Sequence, residues 1–101
     1  NGTNPLWFAV HSQGTDEAVI HAINLLLNSG ARINSRIDSV RSTLLMWATR
    51  TERVGVVACL IEKPGIYMNA RNTNGETALT FARNLETDEI ATLLEMHGGR
   101  V

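Results

Sequence analysis

One short phrase recurs three times along this chain, and the recurrence limits its fold more than any single residue does. The copies are Gly2-Thr3-Asn4-Pro5-Leu6-Trp7-Phe8-Ala9, Ser42-Thr43-Leu44-Leu45-Met46-Trp47-Ala48 and Gly75-Glu76-Thr77-Ala78-Leu79-Thr80-Phe81-Ala82. Each is followed by an apolar stretch that closes on a glycine: Gly30, Gly65 or Gly98. A spacing of 33 to 39 residues is that of stacked modules, none of which can bury its apolar face without its neighbour. Such a stack presents an extended surface rather than a reaction centre.

The local chemistry of every copy reads as a helix start. Asn4, Thr43 and Thr77 can each accept a hydrogen bond from an unpaired amide of the first turn. Pro5, Leu44 and Ala78 follow at the first helical position. Leu6/Ala9, Leu45/Ala48 and Leu79/Ala82 keep one face apolar. Helices of about seven or eight residues are too short to stand alone. A second start signal is expected at Thr15-Asp16-Glu17, Thr51-Glu52-Arg53 and Thr87-Asp88-Glu89, each with apolar residues following on a helical period. Gly55 falls inside the second of these helices and should weaken it by about 1 kcal/mol relative to alanine. Two links, 33–42 and 67–76, join the modules; the latter ends on the turn-forming pair Asn74-Gly75.

At 101 residues and 44% hydrophobic content the chain holds one domain's worth of packed material. A net charge of −1 argues against nucleic acid as partner. The charge is unevenly spread: Arg32, Arg36, Arg41, Arg50 and Arg53 crowd residues 32–53 against Asp38 and Glu52. Cys59 is the only cysteine, so an internal disulfide is impossible and a reducing, cytoplasmic or otherwise intracellular compartment is expected. No apolar run reaches membrane-span length, so no membrane partner is expected. Phosphate-binding glycine loops, paired metal ligands and nucleophile–base arrangements are missing from the sequence, so neither an enzyme, a cofactor nor a small-molecule substrate is expected. Without an initiator methionine, the chain is expected to be a fragment or processed form of a longer one.

These phrases resemble the ankyrin repeat, whose Gly-x-Thr-Pro-Leu-His-x-Ala and Leu-Leu-x-x-Gly-Ala-x-Val-Asn motifs run through the whole chain. Leu26-Leu27-Asn28-Ser29-Gly30-Ala31-Arg32-Ile33-Asn34 and the stretch from Asn69 to Leu79 are the most faithful. The motif histidine is absent from every copy; Trp7, Met46 and Thr80 stand there, and Arg41 replaces the usual glycine. About five extra residues around Ser12 to Glu17, and Pro64, are insertions. The resemblance implies an all-α repeat fold, an α-solenoid of about three helix-loop-helix modules joined by β-hairpin-like links. Residues 1–101 would then be one domain, with repeats at about 1–34 (lacking its N-terminal hairpin), 35–68 and 69–101.

It implies further that the protein is a scaffold or adaptor module binding a protein partner through a concave surface of link tips and first helices. The contact residues carried over by position are Arg36, Ser39, Val40 and Ser42, then Arg71, Thr73, Asn74 and Glu76, then His11, Ser12, Arg50, Thr51, Asn84 and Leu85. Arg36, Arg50 and Arg71 in one groove imply an acidic patch on the partner. The alternative function is one-to-one inhibition of a specific enzyme or toxin. In some relatives asparaginyl hydroxylases modify the column of Asn34 and Asn69, where hydrogen bonding across the turn is expected instead.

The remaining prominent residues have structural readings. Phe8, Trp47 and Phe81 share one column and are expected to pack between modules. His11, His21 and His97 lack metal-ligand spacing, with His97 placed as a cation at a helix C-terminus. Cys59 stands in a leucine column as a buried thiol. Neither end of the stack shows a polar cap, so modest stability or association through the end faces is expected.

Overall fold

A computed structural model describes residues 14–101. The first copy of the repeated phrase, with Asn4, Leu6, Trp7, Phe8 and Ala9, lies outside them. The described residues form five helices and no strand: α1 (Asp16–Asn28), α2 (Leu44–Arg50), α3 (Val54–Ile61), α4 (Ala78–Arg83) and α5 (Glu89–Met96). The short inner helices α2 and α4 pack against one another. Behind them the outer helices form a second row, α1 on α3 and α3 on α5. Each inner helix folds back on its own outer one, α2 on α3 and α4 on α5.

The expected caps hold for α1, α2 and α4. Thr15 accepts from the Ala18 amide at 3.2 Å, Thr43 from Met46 at 3.3 Å and Thr77 from Thr80 at 3.3 Å. The Thr80 hydroxyl returns the favour by accepting from the Thr77 amide at 3.1 Å, closing a capping box. Once started, these helices are held by burial. Leu44, Leu45, Ala48, Ala78, Leu79 and Ala82 are all buried, and one continuous core runs from Val19 of α1 to Leu94 of α5. Truncating Leu45 or Leu79 to alanine would cost about 2–5 kcal/mol.

The start signals at Thr51 and Thr87 do not operate. Thr51 is the C-cap of α2, and its hydroxyl donates to the Trp47 carbonyl at 2.8 Å. α3 starts at Val54 after Arg53, and α5 at Glu89 after Asp88; neither preceding residue provides a side-chain cap. The physical reason at α3 lies in the neighbouring module. The Asp16 carboxylate reaches across from α1, Oδ2 accepting from the Gly55 amide at 3.1 Å and Oδ1 from Arg53 Nη1 at 3.1 Å. An orphan donor of α3 is thus satisfied by the acid of another helix. Gly55 is what allows this approach, because a Cβ there would lie 2.9 Å from Asp16 Oδ2. The inserted segment ahead of α1 joins in, the Gly14 carbonyl accepting from Arg53 Nη1 at 3.1 Å.

The links are turns rather than β-hairpins. Two backbone bonds close each: Ile37 N–H to Ser42 O at 2.8 Å and Arg41 N–H to Asp38 O at 3.0 Å in the first, Asn72 N–H to Glu76 O at 3.0 Å and Gly75 N–H to Asn72 O at 3.0 Å in the second. Each has too few ladder bonds to count as strand, since side-chain acceptors take the intervening amides. Arg41 and Gly75 occupy matching places in the two turns, both at positive φ (63° and 77°).

Module three departs from module two at its end. Arg83 and Glu95 stand, exposed and ion-paired, where module two has buried Thr49 and Ile61.

Gly55→Ala tests the inter-module cap. Helix propensity alone favours the alanine by about 1 kcal/mol, yet urea unfolding should show the variant destabilised in the native background. In an Asp16→Ala background the same substitution should stabilise. Equal effects in both backgrounds would mean that the carboxylate does not cap α3.

Candidate protein-interaction surface

The two links and the inner helices carry the residues expected to meet a partner, and the structure sorts them into three groups. His11 and Ser12 lie outside the described residues. A second group is committed to holding the stack together. A third is exposed on it.

The committed group starts from a repeated turn. Asp38 Oδ1 accepts from the amides of Val40 (3.1 Å) and Ser42 (2.9 Å). Asn72 Oδ1 does the same for Asn74 (2.9 Å) and Glu76 (3.0 Å), while its Nδ2 donates to Glu76 Oε1 at 2.9 Å. A short side-chain oxygen two and four residues before its donors is a local signal for a tight turn. The turn buries Ser42 completely (0% exposed), so Ser42 offers no surface to a partner. Val40 turns its carbonyl to the next link, where the Thr73 amide and hydroxyl donate to it at 2.9 and 3.3 Å.

Arg36 and Arg71 also serve the stack. Arg36 Nη1 donates to Arg41 O in its own turn and to Arg71 O in the next link, both at 2.9 Å. Arg71 repeats the pattern with Gly75 O (2.6 Å) and Val101 O (3.3 Å). The asparagine column behaves alike. Asn34 Nδ2 donates to Gly65 O and its Oδ1 accepts from the Tyr67 amide, each at 2.8 Å. Asn69 donates to Gly98 O at 3.1 Å and accepts from the Arg100 amide at 2.6 Å. These bonds reach main chain 29 to 33 residues ahead, not across the residue's own turn as the sequence predicts. Both ends of each side-chain amide are therefore occupied.

The exposed group consists of Ser39 and Asn74 at the turn tips and Arg50, Thr51 and Asn84 at the inner-helix ends. The Arg50 guanidinium lies over the Phe81 ring, 5.7 Å from its centroid, which couples modules two and three. Asn84 ends α4 with Nδ2 donating to Thr80 O at 3.1 Å, and Leu85 is half-buried against the core. The aromatic column is not an open stripe. Trp47 is buried with Arg53 above its ring at 5.4 Å, and Phe81 is half-buried.

Elsewhere, Cys59 is half-buried rather than buried. Exposed His97 has Nδ1 3.0 Å from the Leu93 carbonyl at the end of α5. Among the described residues no group of three His, Cys, Asp or Glu side chains is placed to hold a metal ion. No described helix is long and apolar enough to cross a membrane.

Asp38 makes one of these turns sensitive to acid. Burial acts to raise its carboxyl pKa, but the Ser42 and Val40 amides and the charge of Arg50 outweigh it, leaving the value below its ordinary 3.8. The resulting stabilisation is fully present above the unfolded-chain value of about 4. It is lost as pH falls through the lower folded-state value. Asp38→Asn retains an oxygen for the two amides, as Asn72 does in the second link. Unfolding midpoints of this variant measured from about pH 5 downward should fall less steeply than those of the native chain.

The same two-helix unit, the same link closed by a side-chain oxygen and the same asparagine tie to the next link recur through the described chain. The amino-acid sequence matches the family model described as "Ankyrin repeats (3 copies)" over residues 6–100. With nearly its whole length covered and that architecture in the structure, this chain belongs to the ankyrin repeat family.

Proposed function

We propose that this chain is a scaffold or adaptor module that holds one protein partner against the link tips and the inner helices α2 and α4. Ankyrin repeats are protein–protein interaction modules as a family. The observation that carries the reading here is Arg50. It is exposed at the end of α2, yet kept in place over the Phe81 ring of the next module. A cation oriented before binding loses little freedom when a partner carboxylate reaches it. Ser39, Thr51, Asn74 and Asn84 add exposed hydrogen-bonding groups on the turns and inner-helix ends. Arg36 and Arg71, whose head groups bond to backbone carbonyls, hold together the turns that carry this surface. The partner segment that suits this surface is therefore polar and acidic, with its carboxylates directed at Arg50.

The test compares the native protein with two variants in affinity capture from host-cell extract, followed by equilibrium binding to the captured protein. Arg50→Glu combined with Asn74→Glu alters the front; His21→Glu alters the exposed side of α1 at the back. The front variant should bind at least about tenfold more weakly, a loss near 1.4 kcal/mol, and the back variant normally. A partner indifferent to the front substitutions, or lost with His21→Glu, would overturn the reading. Reversal of Arg71 is unsuitable, because it would also break two intramolecular bonds.

A further inference from the structure

A second polar surface lies away from the inner helices, where the start of one link meets the next. It is an open cleft of about 660 Å³, lined by no helical residue and among others by Arg32, Arg36, Arg41 and Tyr67. We propose that this cleft binds the phosphate monoester of a phosphorylated peptide.

Charge is the first argument. Three guanidinium-bearing residues line the cleft and no carboxylate does. Asp38, the one acid between residues 32 and 41, is engaged by the amides of its own turn. Arg36 is anchored to the carbonyls of Arg41 and Arg71, which fixes one side of the cleft. Arg32 and Arg41 are exposed, and among the described residues their side chains make no hydrogen bond or ion pair. Planar forks of this kind match the oxygens of a phosphoryl dianion and bind it through short, charge-assisted bonds.

Arg41 provides the second argument. Its backbone has φ 63°, and the matching place in the next turn belongs to Gly75 at φ 77°. A side chain in this region is strained in a way that glycine avoids. Fold economy therefore favours glycine at 41, and the guanidinium is what the arginine contributes instead.

The third argument decides the source of the phosphate. Tyr67 borders the cleft with 62% of its surface exposed, giving an apolar ring next to the cations. A peptide chain carrying the phosphate can lie on that ring, whereas a free phosphate ion would leave it unused. A polyanion such as RNA calls for a longer basic track, and the overall charge of −1 does not supply one.

The probe is a pool of fluorescent decapeptides with a central phosphoserine and randomised uncharged flanks, set against its unphosphorylated twin in fluorescence anisotropy. The phosphorylated pool should bind at least about tenfold more tightly, with inorganic phosphate competing weakly. Arg32→Gln and Arg41→Gly should each cut that preference several-fold. Because Arg41→Gly also relieves the backbone, its thermal midpoint should rise while its binding falls, which separates recognition from folding. Tyr67→Ala should weaken the peptide and leave competition by inorganic phosphate unchanged. Equal binding of the two pools, a preference untouched by both arginine variants, or tighter binding of a single-stranded RNA oligonucleotide would overturn the proposal. None of these variants alters Arg50, so failure here leaves the partner surface of α2 and α4 to its own test.

Discussion

The contact between α2 and α4 is the interaction on which this molecule depends. Helices of seven and six residues do not persist in water, because nucleating a turn costs more than so few backbone bonds return. What holds them is mutual burial: the leucines at positions 44, 45 and 79 and the alanines at 48, 78 and 82 are all buried where the two helices pack together. Two of the polar residues drawn into this layer are satisfied on the spot. Thr49 donates to the Leu45 carbonyl at 2.8 Å and Thr77 to that of Arg100, so their burial carries little desolvation cost.

Much of this was legible in the chain. The recurrence of Thr43 and Thr77 ahead of a Leu/Ala face located both inner helices, and Thr15 located the start of α1, because these caps act within four residues and need nothing else. Thr51 and Thr87 carry the same chemistry and misled. At α3 the competing acceptor, Asp16, arrives from 39 residues away, and no local pattern announces it. The burden assigned to Gly55 was likewise half an account, since its missing side chain admits that carboxylate.

The contact surface was legible in outline and not in detail. Position within the repeat put Arg50, Asn74 and Asn84 on the outside, but it could not separate them from Ser42, which the turn swallows, or from Arg36 and Arg71, which bond to carbonyls of the neighbouring link. An arginine that faces a groove and one that ties two turns together look alike in a sequence. The distinction rests on backbone atoms some 30 to 35 residues distant. The crowding of arginines between residues 32 and 53 was visible, whereas their division among a cleft, an inner-helix end and a helix cap was not.

The asparagine ties have a consequence for how such a chain tolerates change in length. Asn34 reaches partners 31 and 33 residues ahead, and Asn69 reaches partners 29 and 31 ahead. The intervening segments differ by two residues, Pro64 among them, yet the grip is the same: one carbonyl and the amide two residues beyond it. The grip takes hold of main chain alone, and in both cases the gripped carbonyl belongs to a glycine at positive φ (Gly65 at 81°, Gly98 at 90°). Extra residues can be spliced in or removed between two such grips while the pitch of the whole array stays constant, leaving each unit free to diverge on its surface.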